Sequence, residues 1–273
     1  MTRKRVLICM LWLCALACFS GFPWMFLPWD AIEPYMGGCE RSAMTLVLFR
    51  QQCAFFGFFC IYFLFLGRMG KYQELIGYAS VLIAFMGFLM YLLKLRTGMD
   101  NASSNYEPFI WLAVGSVMLW LNHGMEGVKP ERRGMPVAST IFQVYAVLLC
   151  LNIACLLFPQ QAWGLMFTTP FSDASAYDRY TFGLVSGFMA FSSIIVYYLS
   201  DRLGTFLAFS KAVLLFSLLY FGAYLLWQDC LELYTPLFIG YIAFVEILMV
   251  VGLIFVMNKE CKTNVLYGLR SKD

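Results

Sequence analysis

The chain has 273 residues, of which 62% are hydrophobic and only 13% charged, with a formal net charge of +3 and a mean hydropathy of +0.74. Soluble domains carry about 25% charged residues, so this much apolar surface needs lipid to cover it. The small net charge, with no basic run interleaved with aromatics, excludes nucleic acid as a partner.

Apolar runs of spanning length fall at about 6–27, 43–67, 73–93, 108–127, 137–158, 180–200, 205–227 and 236–257. Each can cross a hydrocarbon layer of roughly 30 Å as a helix. Open strands cannot satisfy their backbone in lipid. The expected fold is all-α: a polytopic integral membrane protein with eight transmembrane helices. The first run, with Arg3, Lys4 and Arg5 ahead of an apolar stretch and Ala15-Leu16-Ala17, has the look of a signal peptide. It is read as an uncleaved first helix. Segments 24–33 and 160–169 are too short to cross. They mix aromatic and polar residues, as a short surface helix or a Trp-anchored loop does. Trp24, Trp29, Trp163 and Trp227 are expected at the outer interface.

With the N-terminus inside, thirteen lysines and arginines fall in inner segments, while the outer loops hold four: Arg41, Lys94, Arg96 and Arg179. That bias predicts both termini in the cytoplasm, in a bacterial inner membrane. The halves also echo each other. Phe22-Pro23 and Pro34 match Phe158-Pro159 and Pro170, Arg68 and Gly70 match Arg202 and Gly204, and Glu107-Pro108 opens the fourth helix as Thr235-Pro236 opens the eighth. The expectation is two parallel four-helix repeats about an axis along the membrane normal. The units are 1–128 and 137–258, with a cytoplasmic hinge at 129–136 and a cytoplasmic tail at 259–273.

Three charged residues lie inside apolar runs, well away from their ends. Glu246 is about eleven residues from polar sequence on either side, near mid-bilayer. A charge there costs roughly 2.5–3.5 kcal/mol, so it is expected to face the bundle. Its role is a coupling site for a proton or cation, a ligand-fixing carboxylate, or a clasp between helices. Lys211 is its natural partner across a depth gap of roughly 8 Å, or else snorkels to the cytoplasmic surface. Arg50 lies either about 12 Å inside the second helix or in an outer cluster with Gln51 and Gln52. That cluster could meet Asp30, Glu33 or Glu40, or hold a lipid phosphate.

The ten cysteines show no CxxC spacing, and those within apolar runs read as small buried hydrophobes. A Cys39–Cys230 disulfide is possible by location only. The single histidine, His123, cannot build a haem or His-rich metal site. No metal, no cofactor and no catalytic residue is therefore expected. Asn101 begins a glycosylation sequon.

The second half resembles the small four-helix membrane proteins of the DoxX-like kind. The residues that carry this are Phe158-Pro159, Asp178-Arg179 ahead of Gly183 and Gly187, Ser210-Lys211, and Glu246 in the fourth helix. The resemblance implies a compact four-helix bundle, often of accessory function, and assigns no catalytic residue. The leading expectation is an accessory or structural subunit whose partners are membrane lipids and other membrane protein subunits. A small transporter or channel using Glu246, and a lipid-binding or lipid-modifying protein, are the alternatives.

Overall fold

The computed structural model describes residues 2–33, 42–100, 102–132, 135–226 and 231–270. The chain is 82% helical, and its one β feature among the described residues is an antiparallel bridge between Phe167 and Tyr234. Eight long helices follow in order. They are α1 (Arg3–Gly21), α2 (Ala43–Arg68), α3 (Gln73–Thr97), α4 (Ala102–Asn122), α5 (Pro136–Cys150), α6 (Ala176–Ser200), α7 (Leu207–Leu226) and α8 (Pro236–Arg270). Local chemistry sets their ends. Ser42 caps α2 by accepting from the Thr45 amide, and Ser175 with Asp178 forms a capping box on α6. Gly98, at φ 69°, stops α3 in the left-handed conformation that glycine adopts without strain.

Among the described residues, six segments are long and apolar enough to cross a membrane: Arg3–Phe26, Ala43–Arg68, Gln73–Thr97, Pro136–Leu157, Ala176–Ser200 and Pro236–Asn258. Helices α4 and α7 occupy the other two expected positions. In the first half α1 packs on α2 and α4, and α3 on α4. In the second, α5 packs on α6 and α8, and α7 on α8. The halves meet where α6 lies on α2 and α3, and α7 on α2. Helix α6 is the central rod, with 83% of its apolar window buried, whereas α1 and α8 bury 28% and form the rim.

The closest helix pair is α3–α4. A Cβ at Gly115 would stand 2.3 Å from the Ala84 amide nitrogen, and one at Gly87 would stand 2.4 Å from both the Leu112 nitrogen and the Pro108 carbonyl. Each helix thus presents a bare backbone to the other, which lets the two pack intimately.

The structure corrects several expectations. Pro108 does not open α4, which begins at Ala102 and carries the proline inside it. Segment 94–107 is mostly helix, with α3 reaching Thr97 and α4 beginning at Ala102. Helix α8 runs through the expected tail to Arg270, a length of 35 residues or about 50 Å. Trp29 and Trp163 are buried within the protein. The Trp163 indole donates to the Thr169 carbonyl at 2.8 Å and packs against Phe167 and Phe182. Cys14, Cys18, Cys53, Cys60 and Cys155 are buried, but Cys9 and Cys150 are exposed. Cys39, Cys230 and the Asn101 sequon start lie outside the described residues.

Candidate functional site

Polar side chains tie the halves together at the end of the bundle where α2 and α6 begin, called here the far end. The Thr45 hydroxyl donates to Asp178 Oδ1 at 2.7 Å, a buried bond from the first turn of α2 to that of α6. Asp178 Oδ2 accepts from the Ser175 amide at 3.1 Å, while the Asp178 amide donates back to Ser175 Oγ at 3.0 Å. Two turns further along α2, buried Gln51 donates to the Tyr234 hydroxyl at 3.3 Å, and Tyr177 donates to Gln52 Oε1 at 3.5 Å. The two amides expected beside Arg50 at a lipid-facing surface are therefore used inside the protein. Arg50 is half-buried eight residues past Ser42, the deeper of its two expected positions. Asp30 and Glu33 are exposed, and Glu40 lies outside the described residues.

Glu246 flanks the buried stripe of α8 made by Ile242, Val245 and Met249, and is itself half-buried, while Ile247 beside it is exposed. Its carboxyl group is within electrostatic reach of the buried Tyr145 hydroxyl on α5. Tyr145 donates to Ser217 Oγ on α7 at 2.8 Å, and Ser217 donates to the Val213 carbonyl at 2.8 Å. Three helices of the second half thus converge on one small polar cluster. Lys211, half-buried near the start of α7, is not level with it. Gly252 of α8 faces Leu214 of α7. From that register Lys211 stands roughly 13 Å from Glu246 along the axis. The separation exceeds the expected gap of roughly 8 Å.

Glu107, noted in the sequence only as the residue ahead of Pro108, joins these polar groups. This carboxyl group is half-buried near the far end of α4, where Trp111 Nε1 donates to it at 3.2 Å. It lines a cavity of about 40 Å³ with Cys18, Gln52, Phe56 and Phe188. A second cavity, of about 20 Å³, lies beside Tyr145 and Ser217. The signal for Glu107 was present in the sequence: an acid four residues ahead of a tryptophan shares its helix face.

At the opposite, near end the expected hinge is pinned on both sides. Val128 donates to the Lys71 carbonyl at 2.9 Å, Thr205 to the Glu131 carbonyl at 2.8 Å, and Arg132 pairs with Asp201 at 3.4 Å. Tyr198 donates to Glu74 at 3.2 Å, with the Arg202 guanidinium over its ring. His123 is exposed at the end of α4. Among the described residues, no group of three or more His, Cys, Asp or Glu is placed to hold a metal ion. Comparison with known proteins matches no family model, no curated protein and no solved structure.

Proposed function

We propose that the chain is an accessory or structural membrane subunit, an eight-span bundle of two four-helix units that packs within a larger assembly. What carries this reading is the use made of its intramembrane polar groups. Thr45, Asp178, Gln51, Gln52, Tyr145 and Ser217 bond helix to helix, and such bonds hold spans together. The two cavities beside them, of about 40 and about 20 Å³, suit a water molecule or two and no larger solute. Glu246, within electrostatic reach of Tyr145, then serves packing, not transport.

The repeat reading is supported by the packing order, in which each half joins its first helix to its second and fourth, and its third to its fourth. It is supported too by Ser42-Ala43-Met44-Thr45 and Ser175-Ala176-Tyr177-Asp178, which open α2 and α6 in the same manner. The DoxX-like resemblance fits such a unit.

Substituting Glu246 tests the reading. In reconstituted vesicles, wild type and Glu246→Gln should both leave an imposed pH gradient to decay as it does without protein, and both should fold equally. A pH-dependent flux in wild type that the glutamine abolishes would establish the transporter instead.

The proposed topology puts the near end in the cytoplasm. A membrane-impermeant maleimide applied to intact cells should label a cysteine placed at Gly98 and spare one placed at Lys129. Labelling of the linker from outside would reverse the orientation.

A further inference from the structure

We infer that the far end carries a binding pocket for a phosphate group, of the kind an anionic lipid presents, formed by Arg96 and Arg179. This goes beyond the accessory reading and does not depend on it. A cavity of about 360 Å³ opens between the end of α3, the start of α6 and the helix Pro159–Met166. Both arginines line it, with Thr97, Gln160 and Gln161, and none of its lining residues is acidic. Of the four basic residues that the sequence assigns to outer loops, two share this one cavity. Neither forms an ion pair with a carboxylate among the described residues.

Each guanidinium is held in place by part of its surface. Arg96 NH1 donates to the Leu156 carbonyl at 2.6 Å. Arg179 Nε donates to the Ser175 carbonyl at 3.4 Å, and its guanidinium lies over the Phe171 ring, 5.8 Å from the centroid. The remaining N–H groups of both can serve an oxyanion, which a planar guanidinium matches two bonds at a time. The helix Pro159–Met166 adds to this. Its first backbone amide to bond within the helix is that of Ala162, to Phe158, so the amides of Gln160 and Gln161 begin the helix unused by it. Helix amides in that position favour a negative charge.

The other walls are apolar, and they point to a lipid as the source of the phosphate. Leu93, Leu156 and Phe182 line the cavity, and Leu157 and Phe158 line it while remaining exposed on the outer surface of the protein. An ionic head beside a greasy rim fits a headgroup whose acyl chains lie along the bundle.

Purified full-length protein in a neutral detergent is titrated with dihexanoyl-phosphatidylglycerol, dihexanoyl-phosphatidylcholine and inorganic phosphate, and binding is read by a fluorescence or thermophoretic signal. The phosphatidylglycerol should bind at least tenfold more tightly than the phosphatidylcholine. Arg96→Gln, at an exposed position, should weaken it about tenfold, and Arg96→Gln with Arg179→Gln should abolish it. Lys94→Gln, at the same end but not lining the cavity, should bind like wild type. Saturation by inorganic phosphate as tight as by the lipid, lost in the same variants, keeps the phosphate site and reassigns its source to the free anion. Equal binding of the two lipids overturns the proposal, as does undiminished binding by Arg96→Gln in folded protein.

Discussion

Gly115→Leu should lower the melting temperature in detergent by about 6–12 °C. Overpacking costs about 1–3 kcal/mol where side chains can give way, and a chain of this size loses about 2–4 °C per kcal/mol. Here the obstacle is the backbone of Ala84, 2.3 Å from the ideal Cβ, so the helices themselves must part and the upper end of the range applies. Parting α3 from α4 also strips Gly87 from Leu112, since both glycines serve the same seam. Gly240→Ala, where a Cβ meets open space, should be neutral or slightly stabilising, because alanine is the better helix former. A Gly115→Leu variant that melts with wild type would show that the seam is looser than described.

The Thr45–Asp178 bond should show the second large effect. Asp178→Ala removes the acid of the α6 capping box, worth about 1 kcal/mol. It also leaves the buried Thr45 hydroxyl without its cross-helix acceptor, at about 1–3 kcal/mol. A loss of about 2–4 kcal/mol follows, measured by denaturant or thermal unfolding. Thr45→Val in the Asp178→Ala background should then cost little more, because the bond between them is already broken. The double-mutant cycle is the decisive measurement: simple additivity would mean that the two residues act separately.

How much of this was legible varied with the physics behind each element. Helix positions were clear, because uninterrupted apolar length decides them and competing signals are weak. The cap at Ser175 was equally local, with a serine three residues before an aspartate. The start of α4 was missed because Ser103, Ser104 and Asn105 have loop composition and Pro108 suits a first helical position. In the fold α3 runs on to Thr97 and stops at Gly98, and α4 begins at Ala102 with the proline carried inside it. The burial of Trp163 was not legible, because an indole suits both an interface and a core. Its burial is decided by Thr169, Phe167 and Phe182, which folding brings around it. The same limit explains the candidate sites. Glu246 stood out through isolation, but Tyr145, its neighbour, is 101 residues away in the chain, and the Arg96–Arg179 cavity joins positions 83 residues apart. No local pattern encodes either meeting.

The pairing of Thr45 with Asp178 has one more consequence. These positions are equivalent under the proposed duplication, each being the third residue after its serine cap. Two identical four-helix units joined in this way would set threonine against threonine or carboxylate against carboxylate. The second of these would place like charges at hydrogen-bonding distance in a buried site, which is strongly unfavourable. Fusion into one polypeptide frees the two positions to diverge into a donor and an acceptor. Under that duplication the join is a lock and its key, no longer two copies of one part. Halves expressed as separate chains should for that reason seek each other, and the second half should refuse its own kind.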